Sequence, residues 1–186
     1  MRASNFDWDR VLDEKRGFCS YLHKYADRSV ANRTRFFHEL NRRKKVDSGG
    51  RAMNNMGFEI PGTAGRAKME FLAKYRFHIA FENRLAPGWT TEKFTDPFEV
   101  YSIPIYWGDS RALQWFNPKA FVNVSDFRNF SDCCDYILHL ENSREDYAGN
   151  RAAGRSGSPP PMVLALHKMA SGKARSYPWG MTLKGM

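Results

Sequence analysis

At 186 residues, with 42% hydrophobic and 26% charged positions, the chain is long enough for one packed core and too short for two domains of ordinary size. Aromatic residues make up 15%, with 14 Phe, 8 Tyr and 5 Trp, which argues against disorder over most of the length. The net charge of +9 is uneven: residues 1–148 hold 23 Lys and Arg against 20 Asp and Glu, whereas residues 149–186 hold 6 and no acid, so the folded part is near neutral and no nucleic-acid partner is expected.

Residues 1–16 read as an N-terminal extension. The apolar run at 17–22 (GFCSYL) predicts a strand, and 30–45 (VANRTRFFHELNRRKK) predicts a helix with Val30, Phe36, Phe37 and Leu40 on its buried stripe. Asp47, Ser48, Gly49 and Gly50 mark a turn, and 64–75 predicts a second helix with Met69, Leu72 and Ala73 on one face. Phe77, Ile79 and Phe81 alternate in a strand at 76–82 (RFHIAFE), followed by a Pro/Gly loop at 83–88. Thr91, Glu92 and Lys93 open a helix with a hydroxyl or carboxylate placed to cap it; Pro97 either kinks it or sits near its true first turn. Strands follow at 103–107 (IPIYW) and 121–124, and a last helix at 131–141 is capped by Ser131. This repeated strand-helix order predicts an α/β fold, a parallel sheet with helices on both faces. Residues 149–186, rich in Gly, Ser and Pro, read as a mobile basic tail.

Cys19 and the adjacent Cys133 and Cys134 cannot build a disulfide framework, which fits a reducing compartment, and they lack the spacing of a zinc site. No run approaches the roughly 18 apolar residues of a membrane span, and the N-terminus lacks a signal peptide's apolar segment. The expected location, for a bacterial chain, is the cytoplasm or the periphery of a membrane. Asp7, Trp8 and Asp9 form a DxD pattern, but at a polar N-terminus rather than at the end of an apolar strand, so no metal is expected there. The sequons at Asn32, Asn123 and Asn129 matter only in a secreted chain.

In a parallel sheet, ligands bind where strands end and helices begin, and the segment 83–93 is such a place. Trp89 offers a ring for a base or sugar, Glu92 a carboxylate for a ribose diol, and Lys93 an ammonium for a phosphate. By spacing alone, Glu92 and Lys93 read first as solvated charges at the start of a surface helix.

The series FEN, a seven-residue gap containing an aromatic residue, TEK, IPIYWG, FNPK and FVNV, spread over residues 74–127, resembles the donor-binding half of the α-1,3-fucosyltransferases of glycosyltransferase family 10. NRTRFFHEL at 32–40 and KKVDSGG at 44–50 are similar to that family's preceding segments, and the likeness spans roughly residues 17–147. The resemblance implies a Rossmann-like donor-binding lobe of a GT-B transferase over residues 17–148, which binds GDP-fucose and passes fucose with inversion to a sugar hydroxyl of a glycan acceptor. It places Arg33 and Lys93 on the diphosphate, Glu92 on the ribose hydroxyls, Trp89 where the family has Tyr before TEK, and Asn83 facing the same cleft. His78 stands where the family has Tyr or Asn, and two readings remain for it, a donor contact or a histidine satisfied within the core. No metal or other cofactor is required, since two fixed cations can stabilise the leaving GDP. The family's catalytic base lies on an N-terminal acceptor lobe, and no acid among residues 1–15 has the context to replace it, so no base is assigned. The chain is therefore expected to be a fragment of a fucosyltransferase that lacks the acceptor lobe or one completed by a separate lobe or partner chain, or else a GDP-sugar-binding remnant without transfer activity.

Overall fold

The computed structural model describes residues 8–26, 31–61 and 65–147. In chain order these form α1 (Trp8–Glu14), β1 (Gly17–Tyr21), α2 (Ala31–Arg43), β2 (Val46–Ser48), α3 (Arg66–Leu72), β3 (Tyr75–Phe81), α4 (Glu92–Glu99), β4 (Ile103–Trp107), α5 (Ala112–Trp115), β5 (Val122–Asn123) and α6 (Phe130–Asn142). The strands make one sheet in the order β2-β1-β3-β4-β5, and every neighbouring pair is parallel.

The central place of β3 follows from its sequence. Phe77, Ile79 and Phe81 point to one face, and His78 and Ala80, pointing to the other, are buried as well. A strand covered on both faces belongs inside a parallel sheet whose crossover helices lie on either side. On the first face, Phe36, Phe37 and Leu40 of α2 and Cys133, Cys134, Ile137 and Leu140 of α6 pack on Cys19, Tyr21, Ile79 and Ile105. Toward the other, Phe71 and Leu72 of α3 join Leu22 and Tyr75, while Phe94 of α4 meets the rings of Tyr106, Phe116 and Phe121 at 4.1–4.9 Å between centroids. The α3 and α4 helices are tied by the buried pair Lys68–Asp96.

Several expected boundaries move. The extension expected over residues 1–16 is packed from α1 onward, since Leu12 enters the core and Lys15 is 4% exposed. The Lys15 ammonium lies within hydrogen-bond reach of four oxygens, the carbonyls of Ala73, Tyr75 and Val100 at 3.1, 3.1 and 2.7 Å and Ser102 Oγ at 3.1 Å, among which its three protons are shared. It thereby closes the amino-terminal side of the sheet. The turn expected at 47–50 begins later than its residues suggest, because Val46, Asp47 and Ser48 pair with Cys19, Ser20 and Tyr21 as an edge strand. Gly50 then lies so close to the His23 backbone that a Cβ there would sit 2.4 Å from its carbonyl oxygen.

In α3 the buried residues are Lys68, Phe71 and Leu72 rather than Met69, Leu72 and Ala73, because the face is set by the ion pair to α4 and by the Phe71–Tyr75 ring contact. Pro97 neither breaks α4 nor starts it and stands, buried, in its last turn. The α6 helix begins at Phe130, and its cap is Asn129, whose Oδ1 accepts the Asp132 N–H at 2.9 Å, not Ser131. The strand expected at 121–124 is limited to two residues, since Asn123 caps a short 3-10 turn that takes in Val124.

Val30, Asp7, the side chains of Trp8 and Asp9, and the basic tail lie outside the described residues. Among the described residues, no helix is long and apolar enough to cross a membrane, and no three His, Cys, Asp or Glu side chains are grouped to hold a metal ion.

Candidate functional site

The strand order reverses direction at one place. From β1 the chain passes through α2 to β2 on one side, then through α3 to β3 on the other, so the loops leaving β1 and β3 diverge at the carboxyl edge of the sheet and leave a crevice between them. Arg33, at the start of α2, reaches across this gap. It is only 2% exposed, and its guanidinium donates to Asn83 Oδ1 just beyond β3 and to the Tyr25 carbonyl beyond β1, both at 2.9 Å. A planar fork suits this task because its donors point in fixed directions.

A second cation stands on the neighbouring element. Thr91 caps α4, its Oγ1 accepting the Lys93 N–H at 3.4 Å, and the Lys93 ammonium lies 3.2 Å from the same hydroxyl and 3.3 Å from Glu92 Oε1. The first turn of α4 thus joins the positive end of the helix dipole to an ammonium, a combination that favours anions. Burial works most strongly to raise the Glu92 carboxyl, but the Lys93 charge, a backbone N–H and the Lys68 charge together hold it below the ordinary glutamate value, so Glu92 stays an acceptor.

His23, at the end of β1 and 4% exposed, is pushed well below the usual histidine value by burial first, then by the Arg33 charge, with Lys93 adding to it. Above the helix start, Trp89 is 40% exposed, and the Arg84 guanidinium lies over its ring at 4.2 Å from the centroid.

Two carboxylates frame the loop between β3 and α4. Glu82, 1% exposed, accepts the Thr91 N–H at 2.7 Å and lies 4.0 Å from the Lys93 ammonium. Its carboxyl is raised by burial, which Thr91 and Lys93 partly oppose. Asp109, beyond β4, accepts from the Gly88 N–H and from Arg111.

The sequence profile of the glycosyltransferase family 10 (fucosyltransferase) C-terminal domain matches residues 13–150. The chain belongs to glycosyltransferase family 10. Over 133 residues it is 38% identical to the α-(1,3)-fucosyltransferase FucT of Helicobacter pylori, a match covering 72% of this chain and 26% of that protein. Over 118 residues it is 33% identical to the human 4-galactosyl-N-acetylglucosaminide 3-α-L-fucosyltransferase FUT6, covering 62% of this chain and 31% of that one. A crystal structure of an α1,3-fucosyltransferase with GDP-fucose superposes with a TM-score of 0.66 at 38% identity, over 73% of this chain and 38% of the other; the same enzyme with GDP gives the same values. This family 10 chain spans only about a quarter to two fifths of the length of these relatives. The α/β parallel sheet expected from the repeated strand-helix order is the fold they share.

Of the residues singled out in the family motifs, the structure brings Arg33 and Asn83 into direct contact, places Glu92 and Lys93 side by side, and sets Trp89 in the same loop. His78 is apart from them. It sits in the middle of β3, 2% exposed, with Nδ1 2.8 Å from Ser20 Oγ on β1, the geometry of a satisfied core histidine. A donor contact at His78 therefore gains nothing from its placement. Sequence reasoning passed over Glu82 and Asp109 as site residues. The signal available was an acid ending an otherwise apolar strand, since such a charge is buried only when paired.

Proposed function

We infer that this chain is the donor-binding lobe of a fucosyltransferase, which holds GDP-fucose for transfer of fucose to a sugar hydroxyl of a glycan acceptor with inversion. The observation that carries the reading is the pair of cations at the carboxyl edge of the sheet, Arg33 bridging from Asn83 to the chain beyond β1 and Lys93 held on the Thr91 cap of α4. A relative solved with GDP-fucose is similar over 73% of this chain, which supports the reading. In such a transfer the bond between the sugar and the β-phosphate breaks and negative charge grows on the departing diphosphate. Cations already in place stabilise that charge without reorganisation, and no metal ion is needed in this reading. Glu92 would accept from the ribose hydroxyls and Trp89 would pack on the flat part of the nucleotide. The proton leaving the acceptor hydroxyl goes to a base on a separate acceptor lobe or partner chain, which also shapes the glycan site. The three buried free thiols suit a reducing compartment, the cytoplasm or its membrane periphery.

Titration calorimetry with GDP, ADP and UDP tests the reading. GDP is expected to bind at least tenfold more tightly than either of the others, a difference of about 1.4 kcal/mol. Equal affinities for the three, or no GDP binding by a folded sample, would remove it.

A further inference from the structure

The segment 84–91 carries Trp89 and leads into α4, yet none of its backbone belongs to a helix or strand. What holds it is a pair of acids at the ends of adjacent strands. Glu82 follows β3 and Asp109 follows β4, and both are almost fully buried, at 1% and 6% exposure. Burying a carboxylate is costly unless its oxygens are satisfied, and here they are satisfied by the loop itself.

At one end, Glu82 accepts the Thr91 N–H at 2.7 Å, and the Thr91 hydroxyl lies 3.0 and 2.9 Å from its two oxygens. A hydroxyl has one proton to give. Given to Glu82, it leaves the oxygen's lone pairs turned toward the Lys93 N–H and the Lys93 ammonium. Glu82 thus orients the group on which Lys93 rests. At the other end, Asp109 accepts the Gly88 N–H while Arg111 grips it through N–H at 3.0 Å and Nε at 3.3 Å. The Asp109 N–H is itself anchored on Tyr106 Oη at 2.9 Å. Gly88 has φ of +78°, a left-handed backbone conformation that favours glycine.

We propose that Glu82 and Asp109 are positioning residues that clasp residues 88–91 to the ends of β3 and β4, fixing Trp89 and the Lys93 ammonium before a nucleotide arrives. The role rests on the donor-binding reading given above. A preformed loop pays its ordering entropy on folding rather than on binding, so loosening either clasp lowers affinity although neither acid touches the ligand.

The experiment compares wild type, Glu82→Gln and Asp109→Asn by amide hydrogen exchange and by titration with GDP and with guanosine. In each variant the Gly88 and Thr91 amides are expected to exchange at least tenfold faster, while amides of Phe77 and Ile79 keep their wild-type rates. GDP and guanosine are expected to weaken together, by about tenfold, which separates a misplaced loop from a lost phosphate contact. Arg111→Ala, at an exposed position, loosens Asp109 from outside and keeps the test open should a buried variant fail to fold; it is expected to shift both ligands in the same direction by less. Unchanged exchange at Gly88 and Thr91 overturns the clasp. Faster exchange with both affinities within twofold of wild type overturns the positioning role. Wild type binding neither ligand overturns the donor-binding reading itself, a result distinct from the other two.

Discussion

Moving the protein from pH 7.5 to pH 5 is expected to cost roughly 2 kcal/mol of stability at His78, with His23 acting in the same direction, which follows from about 1.4 kcal/mol per pH unit once the pH is below the histidine value of about 6.5. Both rings are buried and both are held neutral. Burial, then the Lys68 charge, pushes His78 down to about 3, and burial, then Arg33, pushes His23 well below its ordinary value. The unfolded chain takes up these protons as the pH falls through 6.5 while the folded chain does not. The stabilising contribution is therefore complete above that pH and is lost progressively below it, for His78 until about pH 3. Glu82, Asp96 and Glu99, whose carboxyls burial raises, act in the opposite sense near the acid end and soften the slope there. Urea midpoints at pH 7.5, 6 and 5 measure the effect, and His78→Gln should flatten the dependence. A midpoint unchanged between pH 7.5 and 5 would mean that these rings charge freely in the folded state.

The second large effect concerns the cations. In the proposed donor site, Lys93→Ala takes away a charge-assisted contact to diphosphate worth roughly 1.5 to 3 kcal/mol, so GDP should weaken about tenfold to a hundredfold while guanosine changes little. Arg33→Lys keeps the charge but not the fork that holds Asn83 and the Tyr25 carbonyl, so it should weaken GDP and also lower the melting temperature. Glu92→Ala should weaken GDP and guanosine alike, as befits a ribose contact. Titration of the three variants with both ligands separates these patterns. A Lys93→Ala protein of unchanged melting temperature and unchanged GDP affinity would return Lys93 to the status of a solvated charge at a helix start.

The parts of this fold that sequence made legible are those where burial and periodicity agree. The strand at 76–82 alternates large apolar groups, and α2 carries Phe36, Phe37 and Leu40 at helical spacing, so both elements stand out. The edge strand β2 does not, because three residues with Asp in the middle, followed by Ser-Gly-Gly, have the composition of a turn; only pairing with β1 makes them a strand. The face of α3 was misplaced for a related reason. Its buried Lys68 counts as polar in any pattern, and the Asp96 that allows its burial lies 28 positions further along the chain.

The site divides in the same way. Arg33, Asn83, Trp89, Glu92 and Lys93 lie in motifs and could be named in advance; that Arg33 spans from Asn83 to the chain beyond β1 could not, since the contact joins residues 50 apart. Glu82 and Asp109 were hidden by ordinary context. Each is a lone acid whose purpose appears only when the partners folded against it are known.

The Lys15 ammonium has a bearing on the order of events in folding. Its acceptors lie 58 to 87 positions away along the chain, at the end of α3, the start of β3 and the approach to β4. No part of this arrangement can form locally, because three separate chain segments must already be beside one another before the carbonyls converge. The ammonium therefore locks a sheet that has assembled rather than seeding it. Loss of the lysine would be felt chiefly as faster unfolding, with the refolding rate little altered, and the lifetime of the folded state would shorten more than its equilibrium population alone suggests.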